Sequence, residues 1–149
     1  MSYVDIKTFA KPSTPEEGEL RKKQYPFIRI KEWAVGFLKR TDIKKNSDGG
    51  YDVAGHIDIT NLELKSIQEL GIRFGAVGGD FDCKANQLKS LQGCPSFVGG
   101  DFDCDYNQLA SLQGSPSSVG GNFYCSDNKK QFTEEEVRAV CRVKGIVFV

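Results

Sequence analysis

A seven-residue block occurs three times at a fixed spacing. Val77-Gly78-Gly79-Asp80-Phe81-Asp82-Cys83 returns as Val98-Gly99-Gly100-Asp101-Phe102-Asp103-Cys104, then as Val119-Gly120-Gly121-Asn122-Phe123-Tyr124-Cys125, each 21 residues on. Asn86-Gln87-Leu88 and Asn107-Gln108-Leu109 follow in step, then Ser90-Leu91-Gln92-Gly93 and Ser111-Leu112-Gln113-Gly114. A degenerate copy lies 24 residues upstream, with Val53, Ile57, Ile59, Leu64 and Ile67 in the apolar slots. Such a period restricts the chain to one small unit stacked on its own copies.

Within each unit the side chains alternate. In Asp80-Phe81-Asp82-Cys83-Lys84 the apolar groups point one way and the polar groups the other, as on a strand with one face buried. Stacking then aligns Phe81, Phe102 and Phe123 in one inward column and Cys83, Cys104 and Cys125 in the next. Asn86, Asn107 and Asn128 fall where the chain must turn, and a buried amide there can satisfy the backbone of adjacent copies. Gly93-Cys94-Pro95 and Gly114-Ser115-Pro116 are turn chemistry and leave no room for a helix. Each unit is expected to be one short strand plus an extended return leg, with the Gly-Gly pairs as tight turns.

These residues resemble the leucine-rich repeat, with Phe81-x-Cys83-x-x-Asn86-x-Leu88 as the core match. More closely, the VGGDFDC…NQLxSLxGxP unit is similar to short repeat proteins of large tailed bacteriophages. The stretch Cys125-Ser126-Asp127-Asn128-Lys129-Lys130-Gln131-Phe132-Thr133-Glu134-Glu135 fits the way their arrays close. The resemblance implies an α/β fold: a leucine-rich-repeat-like right-handed solenoid with a short parallel sheet. It implies a phage origin and carries no activity.

The flanks read as caps for such an array. Ile30, Trp33, Ala34, Phe37 and Leu38 form one apolar helix face over about 27–40. Thr14-Pro15-Glu16-Glu17 begins a shorter helix at about 15–24, after a loosely held start. Asn46-Ser47-Asp48-Gly49-Gly50 turns a strand near Ile43 into one near Tyr51 and Val53. Thr133-Glu134-Glu135-Glu136 opens a helix over about 134–143 ended by a left-handed Gly145. Ile146 and Phe148 then continue the Phe123 and Cys125 columns as a fifth parallel strand. The expected organisation is an N-terminal helical cap over 1–50, repeats over 51–132 with copies near 53, 77, 98 and 119, and a helix-strand cap over 133–149.

Charge is zero overall, with 20 basic and 20 acidic residues, which excludes a globally basic nucleic-acid binder. It is unevenly spread. Residues 1–48 hold 11 basic and 7 acidic groups, residues 49–128 hold 4 and 10, and residues 129–149 hold 5 and 3. The acidity of the middle concentrates on the outward strand positions: Asp58, Asp80, Asp82, Asp101, Asp103 and Asp105. Like charges at strand spacing repel, and Ser or Thr would serve the repeat equally well, so the row is expected to have a use. Three readings compete. One is a solvated face, with Lys84 partly neutralising Asp105. Another is a docking surface for a basic patch of a host-encoded protein, with Tyr106 and Tyr124 as aromatic anchors. The last is a cation-binding Asp ladder.

Chemistry is otherwise sparse. Three of the five cysteines are 21 apart and inward, unlike zinc pairs. One histidine, His56, supports no His-based triad. The glycine pairs precede strands, so they are not phosphate loops. No catalytic residue, metal or cofactor is expected. The basic segment Arg21-Lys22-Lys23, with Arg29, Lys31, Lys39, Arg40, Lys44 and Lys45, offers nucleic-acid binding as the alternative, although interleaved acids favour a solvated face. The start of the chain lacks an apolar leader and the cysteine count is odd, so the expected place is a reducing cytoplasm, that of the infected bacterium if the origin holds. The expectation is a non-enzymatic protein-binding module that modulates a host defence or nucleic-acid-handling protein, with no membrane contact and with homo-oligomerisation left open.

Overall fold

The computed structural model describes Glu16 and residues 26–149. The expected helix at 15–24, the loosely held start and the segment Arg21-Lys22-Lys23 lie outside the described residues, apart from Glu16. The chain is α/β, with two parallel-rich sheets and few helices, and neither sheet closes into a barrel.

Helix α1 spans Pro26–Leu38. Strands β1 (Ile43–Lys45) and β2 (Tyr51–Val53) form the expected antiparallel pair, Lys44 opposite Asp52. Then the strands come in twos. β3 (Ile57–Asp58) follows β2; β4 (Phe74–Val77) and β5 (Phe81–Asp82) share one copy; β6 (Phe97–Val98) and β7 (Phe102–Asp103) share the next; β8 (Ser118–Val119) and β9 (Phe123–Tyr124) share the third. After helix α2 (Glu134–Val140) come β10 (Arg142–Val143) and β11 (Val147–Phe148). One sheet has the order β1-β2-β4-β6-β8-β10 and the other β11-β9-β7-β5-β3.

Each copy therefore gives two short strands, one on either side of the glycine pair, and not the single strand expected. The glycines have a different reason from the turn chemistry read from the sequence. None of Gly78, Gly99 and Gly120 has a left-handed φ; a Cβ on Gly99 would lie 2.3 Å from the Gly78 carbonyl oxygen, and one on Gly120 2.3 Å from that of Gly99. Successive backbones pass too closely at this corner for any side chain.

Between the sheets the expected columns form. Phe81, Phe102 and Phe123 are fully buried, with centroids 5.9 and 4.9 Å apart. Cys83, Cys104 and Cys125 are buried beside them, and Val77, Val98 and Val119 line the other sheet. Burying a side chain of this size stabilises the fold by about 1.5–3 kcal/mol. The asparagine row behaves as its chemistry suggests. The Asn107 Nδ2 amide donates to the carbonyls of Cys83, Cys104 and Asp105, and its Oδ1 accepts from Leu88 N. Asn86 and Asn128 repeat the arrangement.

Helix α1 lies against the first strands. Phe37 is buried and stacks on Trp33, and it meets Tyr51 and Phe74 edge-on at 5.7 and 5.8 Å. Leu38, expected on the apolar face, is 52% exposed, because the helix ends there and the chain turns away. At α2, Thr133 and Glu136 form both halves of the expected capping box. This helix stops at Val140 and not 143, because Arg142 and Val143 pair with Ser118 and Val119. Gly145 is not left-handed: a Cβ there would meet the Gly121 carbonyl at 2.6 Å, so it repeats the close approach of the other copies. The fifth parallel strand of its sheet is present, but its parity differs by one. Val147 pairs with Phe123 and is buried, leaving Ile146 and Phe148 outside.

Candidate functional site

The six aspartates come together on one side of the five-stranded sheet. Asp58, Asp82 and Asp103 are adjacent in register on β3, β5 and β7. Asp80 and Asp101 precede these strands, and Asp105 follows β7.

Each carboxylate has an internal use. Asp80 Oδ1 accepts from Asp101 N at 2.7 Å, and Asp101 Oδ1 accepts from Asn122 N at 2.7 Å. His56 Nδ1 accepts from Asp80 N at one end of this row, and Asn122 Oδ1 accepts from Ile146 N at the other. Four side chains thus bind the backbone of the following copy. The bond makes His56 Nδ1 an acceptor, which places the ring proton of the neutral form on Nε2. Asp105 Oδ1 likewise accepts from Ser126 N. Asp58, Asp82 and Asp103 instead accept from the amide two residues on, at Thr60, Lys84 and Asp105. Ser90 Oγ and Ser111 Oγ make the same bond to the amide two residues on, at Gln92 and Gln113, but a carboxylate accepting an N–H makes the stronger one.

The electrostatics follow from crowding. Burial, helped by Asp105 and Asp82, pushes the Asp103 carboxyl above the usual carboxylate range, and the N–H of Asp105 and Lys84 only partly offset it. Burial also raises Asp105, against the Ser126 N–H and with Asp127 adding repulsion. Lys84 partly offsets the charge of Asp105, as expected, but its closest carboxylates are others. Its Nζ lies 3.2 Å from Asp82 and 3.7 Å from Asp103, and these neighbours raise its pKa.

The two tyrosines differ. Tyr106 is 59% exposed and sits in a left-handed conformation, φ 53°, beside Asp105. Tyr124 is paired with Asp103 in register, but its ring stacks on Phe148 at 4.7 Å, and its hydroxyl accepts from Asn122. It is held by the fold, so Tyr106 is the freer anchor.

Among the described residues no three His, Cys, Asp or Glu groups are placed to hold a metal ion. The cysteines are free thiols, and burial pushes Cys125 up to about 12 and Cys141 to about 11. Cys83 and Cys104 donate to the carbonyls of Asp103 and Tyr124. Two members of the basic set are also committed: Arg29 donates to Asn61 O, and Arg40 donates to His56 O while gripping Asp42. Among the described residues no helix is long and apolar enough to cross a membrane.

Sequence reasoning passed over one further copy. Val143-Lys144-Gly145-Ile146-Val147-Phe148-Val149 stands 24 residues after Val119-Gly120-Gly121-Asn122-Phe123-Tyr124-Cys125, the same offset as the degenerate first copy. The signal was the isolated Gly145 between alternating valines. No protein family, curated protein or solved structure matches this chain.

Proposed function

We propose that this chain is a leucine-rich-repeat-like right-handed solenoid, with α1 and α2 in its caps, serving as a non-enzymatic protein-binding module. Its acidic face docks a basic patch on a host-encoded protein that handles nucleic acid or serves in defence, and the repeat motif supports a phage origin and a bacterial cytoplasm as the setting. One observation carries the docking role. Six carboxylates share a surface in which, among the described residues, Lys84 is the only cation paired with Asp82 and Asp103, and Asp103 and Asp105 are held there against burial and mutual repulsion. A partner's cations relieve that repulsion on docking, which gives the face electrostatic selectivity for basic surfaces. Tyr106 supplies exposed aromatic area at its margin.

Replacing Asp58, Asp82, Asp103 and Asp105 by Asn tests this, because an amide oxygen still accepts the same N–H bonds. Affinity capture from bacterial lysate with the wild-type chain should yield salt-sensitive partners that the four-fold variant loses. An identical set of captured proteins would remove the acidic face from the mechanism.

A further inference from the structure

The interior holds more sulfur than the repeat requires. Cys83, Cys104 and Cys125 form the inward column, but Cys94 stands on the return leg of the Cys83 copy. At the same place the next copy has Ser115, and the turn is unchanged: Cys94 N bonds Leu91 O and Ser115 N bonds Leu112 O, each at 3.0 Å. The turn itself therefore needs no thiol.

The two sulfurs of this copy meet inside it. Cys83, just after β5, is fully buried, and its thiol donates to Asp103 O at 3.2 Å. Cys94 packs against the core from the return leg, and its thiol is in hydrogen-bonding contact with that of Cys83. Both are free thiols, and they differ in access: Cys94 is half-buried, whereas Cys83 is sealed from solvent. Burial, and then the Cys83 thiol beside it, push the Cys94 thiol well up, which keeps the reduced pair protonated and quiet. The next copy is built otherwise. The Cys104 thiol donates to Tyr124 O, and the Ser115 hydroxyl meets the Cys141 thiol.

We propose that Cys83 and Cys94 are a redox-sensitive staple, closed within one copy by a disulfide oxidant such as oxidised glutathione. The Cys94 thiolate attacks one sulfur of oxidised glutathione; that S–S bond breaks, and the glutathione thiolate released takes up a proton. The Cys83 thiolate then attacks the Cys94 sulfur, and the second glutathione leaves as its thiol. Two protein thiols are oxidised to one disulfide, and one glutathione disulfide is reduced to two thiols. The new bond ties the end of β5 to the return leg and closes residues 83–94 into a ring, which restricts the unfolded chain. A reducing medium reopens it by the reverse exchange.

Incubating the full chain with oxidised glutathione tests this. The product should be lighter by two hydrogens, and peptide mapping after cleavage at Lys and Asp should link Cys83 to Cys94. Calorimetry should show a melting temperature raised by about 5 °C and restored by dithiothreitol. Cys94→Ser places the Ser115 side chain type at the same turn, so it should fold and show neither the link nor the shift. A lasting mixed disulfide of Cys94 with glutathione, a link from Cys83 to Cys104, no oxidation of the native chain, or a closed form that melts no higher than the reduced one would overturn the proposal.

Discussion

Two side-chain ladders run along the repeats and make the same kind of bond in different surroundings. The inner one, Asn86, Asn107 and Asn128, ties carbonyls and amides of neighbouring copies together in the buried interior. The outer one, His56, Asp80, Asp101 and Asn122, binds the next copy's amide at the sheet surface. Water can replace the outer bonds and cannot replace the inner ones, so equal geometry has unequal weight. The residue types follow. A neutral amide, which donates and accepts, suits burial, where a charge would be costly. At the surface any good acceptor serves, and His, Asp and Asn all occur. A carboxylate chosen there keeps a second oxygen and a charge for other uses.

The sharpest way to break this comparison is at its inner member. Asn107→Ala strips partners from Leu88 N and three carbonyls. The expected loss is about 3 kcal/mol, a drop of roughly 10 °C in the melting temperature by calorimetry. The corresponding outer change should be milder. Asp101→Ala frees only Asn122 N, half-exposed, and should cost about 1 kcal/mol in urea unfolding. Asp101→Asn should cost less still, because the amide oxygen can take the same bond. If Asp101→Ala costs as much as Asn107→Ala, solvent is not the deciding difference.

The smallest effect separates carboxylates by their titration. Asp103 and Asp105 have folded pKa values above the ordinary one, so the folded state holds protons that the unfolded state releases. Stability should therefore fall as pH rises from the ordinary carboxylate value through their raised values. Asp42 is opposite: the Arg40 guanidinium beside it lowers its carboxyl from 3.8 to about 2. Its contribution is present above 3.8 and is lost as pH falls towards 2. Urea midpoints measured against pH should lose their neutral-side slope in Asp103→Asn and their acid-side slope in Asp42→Asn. Unchanged profiles would show that neither group is perturbed by its surroundings.

Much of the interior was legible because it depends on a local rule repeated. Alternation sends Phe102 and Cys104 inward wherever the strand lies, and the 21-residue step brings equivalent residues together. The second strand of each copy was not legible. Phe97-Val98 and Ser118-Val119 are too short and too varied to show a period, and their pairing depends on how closely two backbones pass at Gly99 and Gly120. The last copy was hidden for a related reason: its Lys144, Ile146 and Phe148 are ordinary helix or strand residues until Val147 is seen beside Phe123. For the candidate site, the sequence placed all six aspartates on the right side of the strands. It also grouped Tyr124 with Tyr106, and could not show that the Tyr124 ring stacks on Phe148.

From the amino acids alone came the repeat, the inward aromatic and thiol columns, the asparagine row and the concentration of carboxylates. All of these are set by residue type and interval within one copy. Tertiary structure alone decided that each copy spans two sheets and that Asp80, Asp101 and Asp105 each spend an oxygen on a backbone amide of the following copy. Those outcomes depend on distances between segments 21 to 24 residues apart, fixed only once the backbones have packed.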